Sequence, residues 1–249
     1  MTRDGQKFDL DEELLEKLYA KYAKGGLRVS GWRQWAYFFA KKSLWIFVVE
    51  SARALKRVMD IVGSAAGLLL LSPVFLVTAL LIKIEDRGSI FYGQDRVGKW
   101  GKIFRMYKFR SMIVNADKMK DTLLDQNESG GVIFKMKRDP RITRVGRVIR
   151  KLSIDELPQL LNVLKGDMSL VGPRPPTLDE VPKYEGWQRR RLDLTGGITG
   201  LWQVSGRNEV SFEEWMRMDI RYSRTRSPWN DLRILFKTIR AVVTGRGAS

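Results

Sequence analysis

Residues 61–82 read IVGSAAGLLLLSPVFLVTALLI, twenty-two positions without an ionisable side chain. A straight helix of that length is about 33 Å long, enough for a hydrocarbon core of roughly 30 Å. A core helix of a soluble protein is seldom so long and so uniformly apolar, so a membrane is the expected solvent. The segment lies too far along the chain for a cleavable signal, and acidic residues precede it. Two features argue against a simple span. Lys41, Lys42, Arg53, Lys56 and Arg57 stand before it, and Lys83, Arg87, Arg96, Lys99 and Lys102 after it. Five basic residues on each flank draw both ends to the cytoplasmic side. Ser72-Pro73 also falls at its middle. Proline removes a backbone donor and clashes with the preceding turn, while a serine hydroxyl can satisfy the carbonyl this frees. A helix that enters the bilayer, breaks at Ser72-Pro73 and returns fits both features. A Pro-kinked spanning helix remains the other reading.

Upstream, Trp32, Trp35, Ala36, Phe38, Phe39, Trp45 and Phe47 are spaced largely as one helical face, interrupted by Lys41 and Lys42. This predicts an amphipathic helix at the membrane interface or against the protein core. Residues 9–23, with Leu14, Leu15, Leu18, Tyr19 and Tyr22, predict another amphipathic helix behind an acidic start. Residues 1–50 therefore form a helical extension without visible chemistry, 51–88 the membrane region, and 89–249 the soluble domain.

The 249 residues carry 45 Lys+Arg against 28 Asp+Glu, a formal charge of +17, and contain neither histidine nor cysteine. The two zeros exclude His general bases, Ser-His-Asp and Cys-His nucleophiles, disulfides, and zinc or copper sites built on Cys or His. Any metal is expected to be a hard cation on oxygen ligands. The charge calls for an anionic partner: nucleic acid, a membrane surface or phosphorylated substrates. No nucleic-acid motif accompanies it. A non-enzymatic basic protein on an anionic surface would explain the charge but not the motifs that follow.

Alternation at 103–109, after Gln94-Asp95-Arg96-Val97-Gly98, predicts short strands joined by a glycine turn. Residues 114–126 read as helix. Arg144, Arg147, Arg150 and Lys151 fall opposite Val145, Val148, Ile149 and Leu152 on a helical wheel, and this basic face runs into Asp155-Glu156. Pro158 is tolerable only near a helix start, and Ser153 with Glu156 has capping-box spacing. The acidic pair is thus expected at a helix N-terminus, where free N–H groups and the dipole keep a carboxylate ionised. Gly166 to Pro176 reads as a stiff loop whose prolines fix Arg174, as a phosphate clamp requires. Gly196-Gly197-Ile198-Thr199-Gly200 follows, with glycines that allow close backbone approach but fit no Walker or Rossmann pattern. Residues 210–243 predict two helices around Ser227-Pro228.

These motifs, in this order over about residues 56–240, resemble the bacterial sugar transferases of the monotopic phosphoglycosyl transferase type. The likeness rests on Lys56-Arg57 with Asp60, Ser72-Pro73, Gln94/Arg96/Gly98, Lys108-Phe109-Arg110-Ser111-Met112, Asp155 to Gln159, Gly166 to Pro175, and Gly197 to Gly200. The chain departs at Gly196, where the family usually has proline, and this predicts a looser turn. The resemblance implies an α/β, mostly α, monotopic membrane protein whose helix is re-entrant at Ser72-Pro73, with interfacial helices and a small cytoplasmic catalytic domain. It implies transfer of a sugar-1-phosphate from a UDP-sugar to undecaprenyl phosphate, with UMP released by a ping-pong mechanism, initiating a surface glycan at the cytoplasmic face of the bacterial inner membrane. Matched residue by residue, Asp155 is the nucleophile and Glu156 helps to position Mg²⁺ or the acceptor, the two being the metal ligands. Beside this match, Arg150 and Arg174 are the candidates for phosphate contacts, with Lys108 a weaker one, and Arg207 and Gln203 are the candidates to face nucleotide or sugar. Lipid and the two substrates are the expected partners, nucleic acid is not, and a homodimer stays open.

Overall fold

A carbonyl left without a donor marks the point where the apolar segment breaks. In the computed structural model, which describes residues 31–116, 119, 136, 139–206 and 210–243, helix α1 (Gly31–Leu70) ends one residue before helix α2 (Ser72–Asp86). Pro73 has no N–H for the carbonyl of Leu69, four residues back, and the Ser72 hydroxyl donates to it instead at 2.8 Å. The two axes diverge by 59°. No single described helix is long and apolar enough to cross a membrane, but this bent pair together has the length and composition for it.

Expectations for residues 9–23, most of 114–126 and Arg207 lie outside the described residues. The chain divides into two compact units, 1–51 and 52–249. In the first, the helix does not carry one apolar stripe. Tyr37, Phe38 and Phe39, and again Leu44, Trp45, Ile46, Phe47 and Val48, are exposed in consecutive runs, which at about 100° per residue go round the cylinder. The residues that break the single face are Tyr37, Leu44, Ile46 and Val48, which stand between the aromatics of the expected stripe.

In the second unit both arms of the break dock on the same body. From α1, Asp60 accepts from Leu170 N at 3.0 Å and Ser169 Oγ at 3.1 Å. It also pairs with Lys56 at 3.1 Å, and Lys56 reaches on to Asp231 at 2.8 Å. Arg57 donates to the carbonyls of Val163 and Leu164 at 2.6 and 2.7 Å, in the last turn of a helix, where a cation is favoured. From α2, the Glu85 carboxylate accepts from the backbone N–H groups of Arg144 and Val145, capping helix α3 (Arg144–Lys151). Asp86 pairs with Arg110.

The strand alternation is realised as an antiparallel hairpin of β1 (Phe91–Val97) and β2 (Ile103–Phe109), with Phe91 opposite Phe109 and Val97 opposite Ile103. Phe104 and Met106 turn inward onto Val163 and Met168. Phe109 packs with Ile82 and Ile149. The fully buried amide of Asn162, on helix α4 (Gln159–Lys165), bonds the free edge of β2 as a third strand would: it accepts from Tyr107 N at 3.0 Å and donates to Arg105 O at 2.8 Å. This holds Lys108 in register.

The stiff loop contains a strand that was not foreseen. β3 (Ser169–Val171) pairs in parallel with β4 (Gly197–Thr199), Ser169 opposite Gly197 and Val171 opposite Thr199. The pairing needs glycine: a Cβ on Gly197 would come within 2.1 Å of Gly172 N. Helices α5 (Phe212–Thr225) and α6 (Pro228–Val243) flank Ser227-Pro228 as expected, and α5 opens on a capping box of Ser211 and Glu214. Among the described residues the fold is mostly helical with two small sheets.

Candidate active site

Asp155 lies on a single 3-10 turn, Ile154–Glu156, and the α-helix proper begins only at Gln159, behind Pro158. The expected capping box at Ser153 does not form. Ser153 takes a left-handed conformation (φ 56°) with no side-chain cap bond, and Glu156 is drawn away to Lys108. A charge-assisted bond outweighs a neutral cap. The consequence is geometric: the left-handed step at Ser153 separates α3 from the turn and leaves Asp155 at 9% exposure.

Lys108 Nζ stands 2.7 Å from Glu156 Oε1, and Arg174 Nη1 stands 3.5 Å from the same oxygen. Burial would raise the Glu156 carboxyl, but Lys108 and then Arg174 outweigh it and pull it down to about 2. Asp155 goes the other way. Burial raises it to about 6, against Lys108, with Glu156 adding to the rise and Arg150 and Arg174 opposing it. Two adjacent carboxylates are thereby separated: one is a fixed anion bound by cations, the other is buried, barely solvated and within reach of three positive charges. That is how an ionised carboxylate is made a better nucleophile. Among the described residues no group of three or more acidic side chains gathers as a metal cage.

The structure therefore brings Lys108 and Arg174 into contact with Glu156, while Arg150 acts on Asp155 through its charge without an ion pair to it. Gln203 sits on the turn Trp202–Val204, where its amide donates to Ile198 O at 3.4 Å. The turn at Gly196 is close-packed rather than loose, since a Cβ there would lie 2.5 Å from Pro175 Cγ. Arg96, which the sequence offers only as a flanking charge and as part of the Gln94/Arg96/Gly98 motif, is 7% exposed and donates to Pro175 O at 3.0 Å. Burial, then the nearby Arg174, lowers it to about 10, so it remains a cation at neutral pH. Its signal was a strand arginine one residue from the buried Val97, on a strand whose charged neighbour Asp95 faces out.

Residues 51–245 match the family model described as bacterial sugar transferase. The chain belongs to that family. Relatives include the galactosyl transferase CpsE of Streptococcus agalactiae, 50% identical over 194 residues, which cover 78% of this chain and 43% of that protein. The undecaprenyl-phosphate galactose phosphotransferase of Salmonella typhimurium is 48% identical over 204 residues, 80% of this chain and 42% of that protein. The exopolysaccharide production protein ExoY of Rhizobium meliloti is 44% identical over 197 residues, 78% of this chain and 87% of that protein. The chain thus spans less than half of the first two and most of the third. Every residue of the Asp155 cluster in this bacterial sugar transferase lies within the matched span.

Proposed function

We propose that the chain transfers a sugar-1-phosphate from a UDP-sugar to undecaprenyl phosphate, releasing UMP, and so initiates a surface glycan. The observation that carries this reading is the buried Asp155 beside the anionic Glu156, inside a field of Lys108, Arg150 and Arg174. An Asp155 oxygen attacks the β-phosphorus of the donor, forming one P–O bond as the bond to the α-phosphate bridging oxygen breaks and UMP leaves. The phosphosugar then rests on the Asp155 carboxylate. A phosphate oxygen of undecaprenyl phosphate attacks the same phosphorus, and the Asp155–phosphorus bond breaks, returning the carboxylate. Arg150 and Arg174 neutralise phosphate charge, and Glu156 holds Lys108 and Arg174 in place by staying ionised. Mg²⁺ suits this donor set, since it is held by one or two carboxylates together with substrate phosphates. Asp155 and Glu156 would hold it, and when bound it adds further charge neutralisation.

The docking of both arms supports a re-entrant helix, and the basic residues on both of its flanks favour the cytoplasmic face of the inner membrane. Were residues 61–82 to cross, Asp60 and Glu85 would lie on opposite sides of a core of roughly 30 Å, yet both bond to the same unit. If the two arms share the 59° bend equally, each lies about 30° from the membrane plane. Arms of about 15 Å then carry the break only about 7 Å deep, within one leaflet. The test is a panel of UDP-galactose, UDP-glucose and UDP-N-acetylgalactosamine with undecaprenyl phosphate and Mg²⁺, scored by UMP release. Release with at least one donor supports the reading, and none with any donor overturns it.

A further inference from the structure

The backbone that carries Arg174 is gripped by two buried guanidinium groups from different elements. Arg96 of β1 donates through Nη1 to the carbonyl of Pro175 at 3.0 Å. Arg191, 1% exposed on the 3-10 stretch Gln188–Asp193, donates through Nη2 to the carbonyl of Arg174 at 2.7 Å. These are consecutive carbonyls, so both peptide planes following the Arg174 Cα are fixed. Each guanidinium is anchored in turn. Gln94 Oε1 accepts from Arg96 Nε and Nη2 at 3.2 and 2.7 Å. Arg191 pairs with Asp219 at 2.7 Å, donates to the Tyr184 hydroxyl at 2.8 Å, and lies 5.1 Å from the Trp215 ring centre. Pro173, Pro175 and Pro176 are buried while Arg174 is one-third exposed, and Val97 N and Gly197 N bind the carbonyls of Pro176 and Pro173.

Burying a guanidinium costs several kcal/mol unless its donors are satisfied, and burying one near another cation costs more. A loop that needed only to be folded could be held by the neutral bonds already present. Placing two such groups on adjacent carbonyls is explained by what the loop must aim, a side chain that has to meet a phosphate to within a fraction of an ångström.

We propose that Arg96 and Arg191 are positioning residues that aim Arg174 over Glu156, so that what their guanidinium forks add to the chemistry passes through Arg174. This rests on the phosphoryl-transfer reading above. The test is a double-mutant cycle on UMP release using Arg96→Lys, Arg174→Ala and the pair, repeated with Arg191→Lys. Lysine keeps the charge but loses the planar fork that spans Gln94 and Pro175. Because a misplacement of about 1 Å can cost about a hundredfold, Arg96→Lys is expected to lower kcat by roughly 10- to 100-fold in the wild-type background. In the Arg174→Ala background it is expected to change kcat by less than about threefold. A wild-type rate for Arg96→Lys, or the same loss in both backgrounds, overturns the proposal. If Arg96→Lys does not fold, judged by its thermal midpoint, Gln94→Leu is run through the same cycle, since it keeps Arg96 but removes its anchor. Wild-type protein inactive with every donor would remove the function reading itself, an outcome distinct from an additive cycle.

Discussion

Replacing Lys108 by methionine should move the pH dependence of the reaction in a calculable way. The Lys108–Glu156 contact is 2.7 Å long, with side chains 15% and 21% exposed. At an effective dielectric constant near 20 the pair attracts by about 6 kcal/mol before desolvation. Loss of one partner of a fully buried pair costs about 3–5 kcal/mol, and partial exposure here trims that to about 2–3 kcal/mol. Lys108 is the strongest influence lowering both carboxyls. Shared between them at about 1.4 kcal/mol per pKa unit, its removal raises each by about one unit. Glu156 rises from about 2 and still stays ionised. Asp155 rises from about 6 to about 7, and because it attacks as the carboxylate, activity is lost as pH falls through that value. At pH 6.5 its ionised fraction drops from about three-quarters to about one-quarter, while at pH 8.5 it is nearly complete in both proteins. The assay is UMP release across pH 5.5–9, read as kcat/KM. The variant-to-wild-type ratio should recover about threefold between pH 6.5 and 8.5, above whatever constant deficit the lost charge leaves. A ratio independent of pH, or an acidic limb that moves down, would refute the placement of Lys108 against a titrating Asp155.

Three further outcomes follow from the same contacts. Asp155→Asn should stabilise the protein at pH 8: burial raises the folded pKa from 3.8 to about 6, so ionisation above that range costs about 1–3 kcal/mol that the amide avoids. The gain should shrink to about 0.5 kcal/mol at pH 4, where the native carboxyl is protonated and the unfolded one only partly ionised, and thermal midpoints at the two pH values measure it. Arg57→Ala removes two charge-assisted bonds to the carbonyls of Val163 and Leu164, about 3 kcal/mol, and should lower the midpoint in detergent micelles by about 6–12 °C. Since the chain has no native cysteine, single cysteines at Ser51 and Arg87 report topology cleanly. Both should react with an impermeant thiol reagent only from the cytoplasmic side, and periplasmic labelling of either would contradict the re-entrant helix.

How much of this was legible in the sequence depended on the range of the interaction. The hairpin, the break at Ser72-Pro73 and the split at Ser227-Pro228 are written in alternation, proline and glycine, which act within a few residues. The β3–β4 pairing was not, because three-residue strands are too short to show a period and their partners lie 28 residues apart. Ser153 and Glu156 carry the local signature of a cap, but Glu156 is bound by Lys108 from 48 residues upstream, a competitor that no local pattern contains. In the helix at 31–48 the spacing of Trp32, Trp35, Ala36, Phe38, Phe39, Trp45 and Phe47 suggests one face, whereas the exposed Tyr37, Leu44, Ile46 and Val48 carry apolar surface round the cylinder. Asp155, Lys108, Arg150 and Arg174 were found as residue types in motifs. Their convergence, and the part played by Arg96, come from packing: Asn162 sets the register of β2 and the buried prolines set the loop.

Covalent catalysis by Asp155 leaves a mass on the protein, and intact-protein mass spectrometry reads it. Detergent-solubilised protein is incubated with each UDP-sugar and Mg²⁺ without acceptor, then mapped by peptide fragmentation. With Asp155 as nucleophile, the peptide bearing it gains the mass of one phosphosugar, loses it on adding undecaprenyl phosphate, and shows no gain in Asp155→Asn. An adduct on another residue, or an Asp155→Asn variant that releases UMP at the wild-type rate, would contradict it.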